Sequence, residues 1–365
     1  MGSHRHFRAM APMTESLLMG LCLYSVAVWP LAVRGHGPSA WPAAAALGLA
    51  CLTRYEAWPL AGAMIAFTTA WLVYRRLPPA VVARRVLTLA AGPMTAVAAF
   101  VCLSRATTGA WLITDGFFEV DHSTYRDAEA TLWAIWRGVT RINGPIAVTL
   151  ASTALAALLV SARRHGAGTL LLVLSLAAPV LLPAYALWNG HPFRFRYMVP
   201  SAMVCAAMIG IGVGLLPRYR RAAALGVVAV TLLETPPWSP RSPVVVESQR
   251  DAPNIIGRQS VTECLARSYD GAPILASMGS VAPFMHETSR IGLRIRDYIH
   301  EGIGQLWMDS LVSAGRHAGW VVIEEDAEGG DVLAKRRESA PAFLTGFEKQ
   351  CAGGGVVLYR RVVAP

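Results

Sequence analysis

Arg54 and Glu56 stand between two apolar runs, Trp41 to Leu52 and Ala57 to Tyr74, within the stretch Leu52-Thr53-Arg54-Tyr55-Glu56-Ala57-Trp58. A charge at the middle of a bilayer costs roughly 2.5–3.5 kcal/mol even on the lenient insertion scale. The cheaper arrangement puts this turn at a membrane face, with one helix arriving and another leaving. Ala57 to Tyr74 then rises about 27 Å, close to the ~30 Å thickness of the hydrocarbon layer. On a continuous helix, residues two apart do not face each other. Across a bend, Arg54 and Glu56 both serve a site at the water boundary.

Composition points the same way. The 365 residues are 54% hydrophobic and only 15% charged, with a mean hydropathy of +0.42, whereas soluble domains carry about 25% charged residues. The net charge of +10 is not a nucleic-acid footprint, because the basic residues sit in short clusters between apolar runs, as in cytoplasmic loops. The six cysteines include no C-x-x-C pair, which removes zinc ribbons and thioredoxin chemistry. Cys22, Cys51, Cys102 and Cys205 lie in apolar runs and read as small core residues.

Seven or eight spans follow from the apolar runs: Leu17–Val33, Trp41–Leu52, Ala57–Tyr74, Val86–Leu103, Pro145–Ala162, Thr169–Trp188, Val199–Leu216 and Ala222–Leu233. Arg34, the Arg75-Arg76 and Arg84-Arg85 pairs, Arg163-Arg164, and Arg218, Arg220 and Arg221 fall in alternate loops free of acidic residues. By the positive-inside rule those loops are cytoplasmic. The segment through Glu15, the Arg54–Glu56 turn, the loop Arg105–Gly144, Asn189–Tyr197 and the tail from Thr235 are then external. The expected fold is mainly α: a polytopic transmembrane helical bundle over 1–234, a linker over 235–253, and a small external α/β domain over 254–365. In that domain Ile274–Ser277, Val321–Glu324 and Val356–Tyr359 read as strands, and Ile255–Tyr269, Ile299–Ala314 and Pro341–Gln350 as helices. Cys264 and Cys351 can approach each other there in an oxidising compartment; two unrelated buried thiols is the other reading.

Most motifs have a bland alternative. Gly210-Ile211-Gly212-Val213-Gly214 lies within a span, so close helix packing explains it better than a nucleotide loop. No P-loop, H-E-x-x-H or nucleophile elbow is present. In an extended segment from His191 to Pro200, Arg194 and Arg196 point one way, and Phe193, Phe195 and Tyr197 the other. Two guanidiniums beside a membrane face suit a phosphate or pyrophosphate headgroup; snorkelling arginines in an aromatic belt is the alternative. Asp115, Glu119, Asp121 and His122 are close enough to hold a divalent cation, but their spacing matches no defined metal loop. Within Arg105–Gly144, Asp127 to Ile142 has Leu132, Ile135, Trp136 and Val139 at helical spacing with Arg137 and Arg141 opposite. That is an amphipathic helix lying on the membrane surface or over a cavity.

Pro12-Met13-Thr14-Glu15-Ser16-Leu17, Gly48-Leu49-Ala50-Cys51-Leu52-Thr53-Arg54-Tyr55-Glu56 and Arg196-Tyr197-Met198-Val199-Pro200 together resemble the GT-C class of integral-membrane glycosyltransferases. The likeness is to bacterial members akin to protein mannosyltransferases and the lipid A aminoarabinose transferase. It implies transfer of a sugar from a polyprenyl-phosphate donor to an acceptor on the extracytoplasmic side, by a multi-pass protein of the cell membrane. It also implies an acidic base in a first external loop. No acid precedes Glu15, and the one or two helices and first external loop that such proteins place before this point are not found. The expectation is either a truncated or misassigned start or a chain that has lost the usual base, inactive as given, with Glu15 as the remaining candidate. The substrate-binding set comprises Glu15, Arg54, Tyr55, Glu56, His191, Arg194, Arg196 and Tyr197. The partners are the donor and membrane lipids, with no nucleic acid; no cofactor is assigned beyond the divalent metal considered above. The rival reading is a non-catalytic polytopic protein that binds lipid-linked sugars or partners through its C-terminal domain.

Overall fold

The computed structural model describes residues 14–34, 39–109, 111–112, 118, 120–165, 174–236, 238–242, 245–246, 249, 252–327 and 329–362. The chain is mainly helical with one small sheet. It divides into a helical unit (1–100, 126–188 and 195–248) and a second unit (101–125, 189–194 and 249–365).

In the helical unit, α1 (Glu15–Arg34), α2 (Trp41–Thr53) and α3 (Ala57–Tyr74) pack with α4 (Pro79–Thr108) around Leu18, Trp29, Leu47, Leu60, Met64 and Leu72. The polar groups taken into this core are paired. Trp29 Nε1 donates to Thr68 Oγ1 at 2.9 Å, and Ser25 Oγ donates to the Ala43 carbonyl at 3.0 Å. After α4 come α5 (Ala128–Asn143), α6 (Pro145–His165), a 3₁₀ turn over Ser175–Val180, α7 (Leu181–Trp188), α8 (Val199–Gly214) and α9 (Arg220–Glu234). Pro179 and Pro183 stand within the run drawn as a span to Trp188. Each removes a backbone donor, and the run is broken into a 3₁₀ turn and an eight-residue helix. Residues 169–173 of that run lie outside the described residues.

Four described helical stretches are long and apolar enough to cross a bilayer: Glu15–Val33, Ala57–Tyr74, Pro79–Thr107 and Phe195–Gly214. The bent pair α5–α6 raises the count to five. By length and composition the described residues thus supply four or five of the seven or eight expected spans. The 13 residues of α2 rise only about 20 Å, short of a ~30 Å core.

Arg54 and the Arg75-Arg76 pair lie at opposite ends of the single helix α3. Arg85 Nη1 donates to the Val33 carbonyl at 2.7 Å, which brings the C-terminal end of α1 and the arginine pair of α4 to a common end. Glu15, at the start of α1, is bonded to Arg54 at the other.

Glycine sets the closest helix approach. A Cβ on Gly92 of α4 would lie 2.0 Å from the Ala44 carbonyl oxygen of α2, and one on Gly48 would lie 2.8 Å from the Gly92 backbone. Of the three glycines in the 210–214 run only Gly212 has a packing role: its Cβ would meet Ala154 of α6 at 2.6 Å, while Gly210 and Gly214 face open space.

The second unit has a five-stranded sheet of order β2-β1-β3-β5-β4, with β1 Ile274–Ala276, β2 Tyr298–Ile299, β3 Trp320–Glu324, β4 Phe347–Gly353 and β5 Val356–Arg361. β1, β2 and β3 are parallel; β5 runs antiparallel to β3 and forms a hairpin with β4. Strand alternation divides the core. Ile274, Trp320 and Val322 pack with α10 (Ile255–Ser268) and α11 (Met278–Thr288). Leu275, Val321 and Ile323 pack with α12 (Gln305–Val312) and α13 (Val332–Ser339). With helices on both faces, every residue of β3 is buried.

Two expected helices are corrected here. Pro341–Gln350 is a 3₁₀ turn to Leu344 followed by β4, because Gly346 adopts φ +82° and ends any helix. Ile299–Ala314 starts as β2, and α12 begins only after Gly304 at φ +61°. Cys264 and Cys351 are disulfide-bonded, with Cα atoms 6.7 Å apart, tying α10 to β4 across 87 positions. In the chain-entropy description, a loop of that size stabilises by roughly 4–5 kcal/mol.

The helix contact at Gly92 yields a paired expectation. Alanine is the better helix former by about 1 kcal/mol, so Gly62→Ala, whose Cβ meets nothing within 4 Å, should leave the melting temperature unchanged or higher. Gly92→Ala should lower it, because the α2 and α4 backbones must part. Equal melting temperatures in detergent would contradict the close contact.

Candidate functional site

The site is built from helix ends. Arg54 is extended (φ −158°, ψ 152°), which stops α2 at Thr53 and turns the chain into α3. The turn is fixed by Ala57 N–H to the Arg54 carbonyl at 3.2 Å, and by Trp58 Nε1 to the Cys51 carbonyl at 3.0 Å. Glu56 immediately precedes α3 and Glu15 lies in the first turn of α1. Both carboxylates thus stand at the positive N-terminal ends of helices, and the guanidinium stands at the negative C-terminal end of α2, where each charge is favoured.

These three groups meet. Arg54 Nη1 donates to Glu15 Oε1 at 2.6 Å. Its Nε reaches Glu56 Oε1 and Oε2 at 3.0 and 3.1 Å, and its Nη2 reaches Glu56 Oε1 at 2.7 Å. The side chains are only 19% (Arg54), 9% (Glu15) and 8% (Glu56) exposed. Charge-assisted bonds this short and this sheltered from water are among the stronger polar contacts a protein makes. Burial opposes the charge on Arg54, but the hydrogen bond to Glu56 and the charges of Glu56 and Glu15 outweigh it and hold its pKa above the ordinary value. Tyr197, from the 3₁₀ turn Phe195–Met198 that leads into α8, is near enough to act on the same guanidinium. The cluster carries two carboxylates and one cation, so it is net negative, and Arg54 spends three of its nitrogens internally.

Arg196 lies beside Tyr197, with its guanidinium 6.0 Å from that ring, and its Nε is buried with no acceptor among the described residues. The 3₁₀ turn replaces the extended segment expected from the sequence, so strict alternation of arginines and aromatics does not hold. Tyr55 is about half exposed, edge-on to Trp58 and Phe100 with ring centroids 5.2 and 5.6 Å away.

The remaining expected residues belong to the second unit. Arg194 Nη1 donates to the Gly279 carbonyl at 3.4 Å, and its Nε is buried with no acceptor among the described residues. The His191 ring packs 4.4 Å from Phe118, and its Nδ1 is 3.0 Å from the Pro192 carbonyl. Asp121 N–H donates to the Gly190 carbonyl at 2.7 Å. Asp115 and Glu119 lie outside the described residues. Among the described residues no group of three or more His, Cys, Asp or Glu side chains is placed to hold a metal.

A second polar cluster in the C-terminal unit escapes sequence reasoning. Glu301, just after β2, is buried and accepts from Ser277 Oγ and from the backbone N–H of Met278 at 2.8 Å, at the start of α11. Ser280 Oγ donates to Asp331, which caps α13 through Ala334 N–H at 2.9 Å. The partners are far apart in sequence and meet only because β1, β2 and β3 are neighbours. No spacing rule signals them.

No protein-family model, no curated protein and no solved structure matches this chain. The site therefore rests on its own geometry.

Removing the Arg54 side chain leaves two sheltered carboxylates without their cation. Arg54→Ala should cost about 3 kcal/mol, the lower end for breaking a buried pair, measured by thermal unfolding in detergent. Arg54→Ala combined with Glu56→Gln should recover part of that loss; a purely additive double variant would argue against the cluster. In the second unit, burial pushes Asp331 up to about 6 despite the bonds from Ser280, Ala334 and Leu333, with Glu301 adding to the rise. The folded state then holds a proton that the unfolded chain, with a pKa near 4, releases. Its stabilising effect is complete below about pH 4 and is lost as pH rises through about 6. The melting temperature should fall over that window, and Asp331→Asn should flatten the fall. An identical pH dependence in both chains would contradict it.

Proposed function

We propose that this chain is a membrane glycosyltransferase-like protein that handles a polyprenyl-phosphate-linked sugar on the extracytoplasmic side of the cell membrane. The observation that carries the reading is the convergence of Glu15, Arg54, Glu56 and Tyr197 at one end of the helical unit, with Arg196 adjacent. Helical bundles build ligand sites from groups on facing helices, and this set couples carboxylates with a guanidinium that retains unused donors.

The roles divide by what each group has left to offer. Arg54 is committed to two carboxylates and positions them. Arg196, whose Nε has no acceptor among the described residues, is the group for the donor phosphate: its planar fork suits two phosphate oxygens at once. As the sugar leaves the phosphate for an acceptor oxygen, negative charge grows on that phosphate, and a fixed guanidinium stabilises it. Glu15 bonds Arg54 through Oε1 alone, which makes it the candidate to receive the acceptor's proton.

The Cys264–Cys351 disulfide supports the placement of the C-terminal unit, because such bonds persist in oxidising compartments and are rare in the cytosol. The arginine-rich ends of α1, α3 and α4 then fall on the cytoplasmic side.

Binding of a polyprenyl phosphate to the purified chain in nanodiscs tests the reading. Hydrogen bonds to charged groups are worth about 1.5–3 kcal/mol, so Arg196→Ala should weaken binding roughly tenfold or more. Arg196→Lys should restore only part of it, since an ammonium lacks the fork. Unchanged binding by Arg196→Ala would overturn the assignment.

A further inference from the structure

Helix α5 leaves an apolar face exposed among the described residues. Its buried positions, Thr131, Ala134 and Gly138, pack inward, while Leu132, Trp133 and Trp136 are 67%, 56% and 52% exposed. Arg137 lies at one edge of that face with its guanidinium 5.8 Å from the Trp133 ring, and Arg141 follows one turn later; Glu129 is exposed in the first turn.

The corner after α5 decides what this face meets. α5 and the apolar helix α6 are bent by 104° at the break between Asn143 and Pro145. Gly144 makes the turn at φ +84°, and a Cβ there would lie 2.3 Å from Glu234 Oε2. The Glu234 carboxylate accepts from Ile146 N–H at 2.7 Å and from Ala147 N–H at 3.2 Å, capping the free N-terminus of α6. Asn143 Nδ2 donates to Ser201 Oγ of α8 at 2.9 Å. The right angle is thus fixed by hydrogen bonds on both sides. α6 has 21 residues, about 31 Å at 1.5 Å per residue; taken as the crossing segment of the bent pair, it sets α5 close to the plane of the bilayer surface.

We infer that α5 is an interfacial anchor, with Leu132, Trp133 and Trp136 seated in the boundary between lipid headgroups and acyl chains and Arg137 and Arg141 at headgroup level. Tryptophan favours that depth because its ring is apolar and its N–H is polar. Arginine beside it reaches phosphate while its stem stays in the apolar layer. The occupant of the exposed face is the lipid surface itself. This inference rests on the membrane reading above but not on sugar transfer.

Spin labels measure the depth directly. In a chain with Cys22, Cys51, Cys102 and Cys205 replaced by alanine and the disulfide kept, single labels are placed by Trp133→Cys, Trp136→Cys and Arg137→Cys. Ala66→Cys, an exposed position midway along α3, reports the bilayer interior. Labels at 133 and 136 should lie about 5–10 Å inside the headgroup boundary, with 137 shallower and 66 near the midplane. Water-exposed labels at 133 and 136 with 66 in hydrocarbon would overturn the anchor and leave the bundle standing. A water-exposed label at 66 would overturn the membrane reading and the anchor together. Should the labelled chains fail to fold, quenching of intrinsic fluorescence by brominated lipids serves instead: Trp133→Leu with Trp136→Leu should remove a quenchable component, and unchanged quenching overturns the proposal.

Discussion

The bond between Arg54 and its two carboxylates is the interaction on which the helical unit depends. It joins the start of α1 to the turn between α2 and α3, residues 39 apart in sequence. Breaking α2 at Thr53 frees backbone groups at that turn, and burying two carboxylates there is unfavourable unless a cation accompanies them. The extended conformation of Arg54 meets both requirements: it ends one helix and delivers the guanidinium to the N-terminal ends of two others. The polar character of this end is therefore a consequence of how the helices are joined. Whatever the site binds, it binds beside a charge cluster that the fold already needs.

The second unit solves a different problem. A short mixed sheet covered on both faces buries every residue of β3 and leaves β4 as one edge. That edge strand is held by its hairpin to β5 and by the Cys264–Cys351 bond to α10. The Arg258–Glu324 ion pair, at 2.9 Å and almost fully buried, adds a second link from α10 to the end of β3. Stability here comes from cross-links and burial, where the helical unit relies on close helix contact at Gly48, Gly92 and Gly212.

What the sequence made legible follows from how strongly each element is punctuated. α3 matches its expected bounds at both ends because charged residues flank an uninterrupted apolar run. β1, β3 and β5 are short apolar runs bounded by turn residues, and they were readable. β4 was not, because its residues are mostly exposed and Glu348, Lys349 and Gln350 hide the strand period. Four or five of the seven or eight expected spans are found among the described residues, and the run before Trp188 is described only from position 174 onward. Of the expected site, Glu15, Arg54, Glu56 and Tyr197 come together, since each ends a helix at the same end of the unit. His191 and Arg194 instead take partners in the second unit. The Ser277–Glu301 and Ser280–Asp331 contacts depend on strand order, which no local pattern encodes.

We propose that the end of the bundle built around Arg54 receives a lipid-linked phosphate. An experimental density map of the chain in lipid nanodiscs with a polyprenyl phosphate tests it most directly. The phosphate should lie within hydrogen-bonding distance of the Arg196 guanidinium, at the same end as the Glu15–Arg54–Glu56 cluster. Phosphate density at the Arg75–Arg85 end of the helices, with Arg196 unliganded, would contradict it.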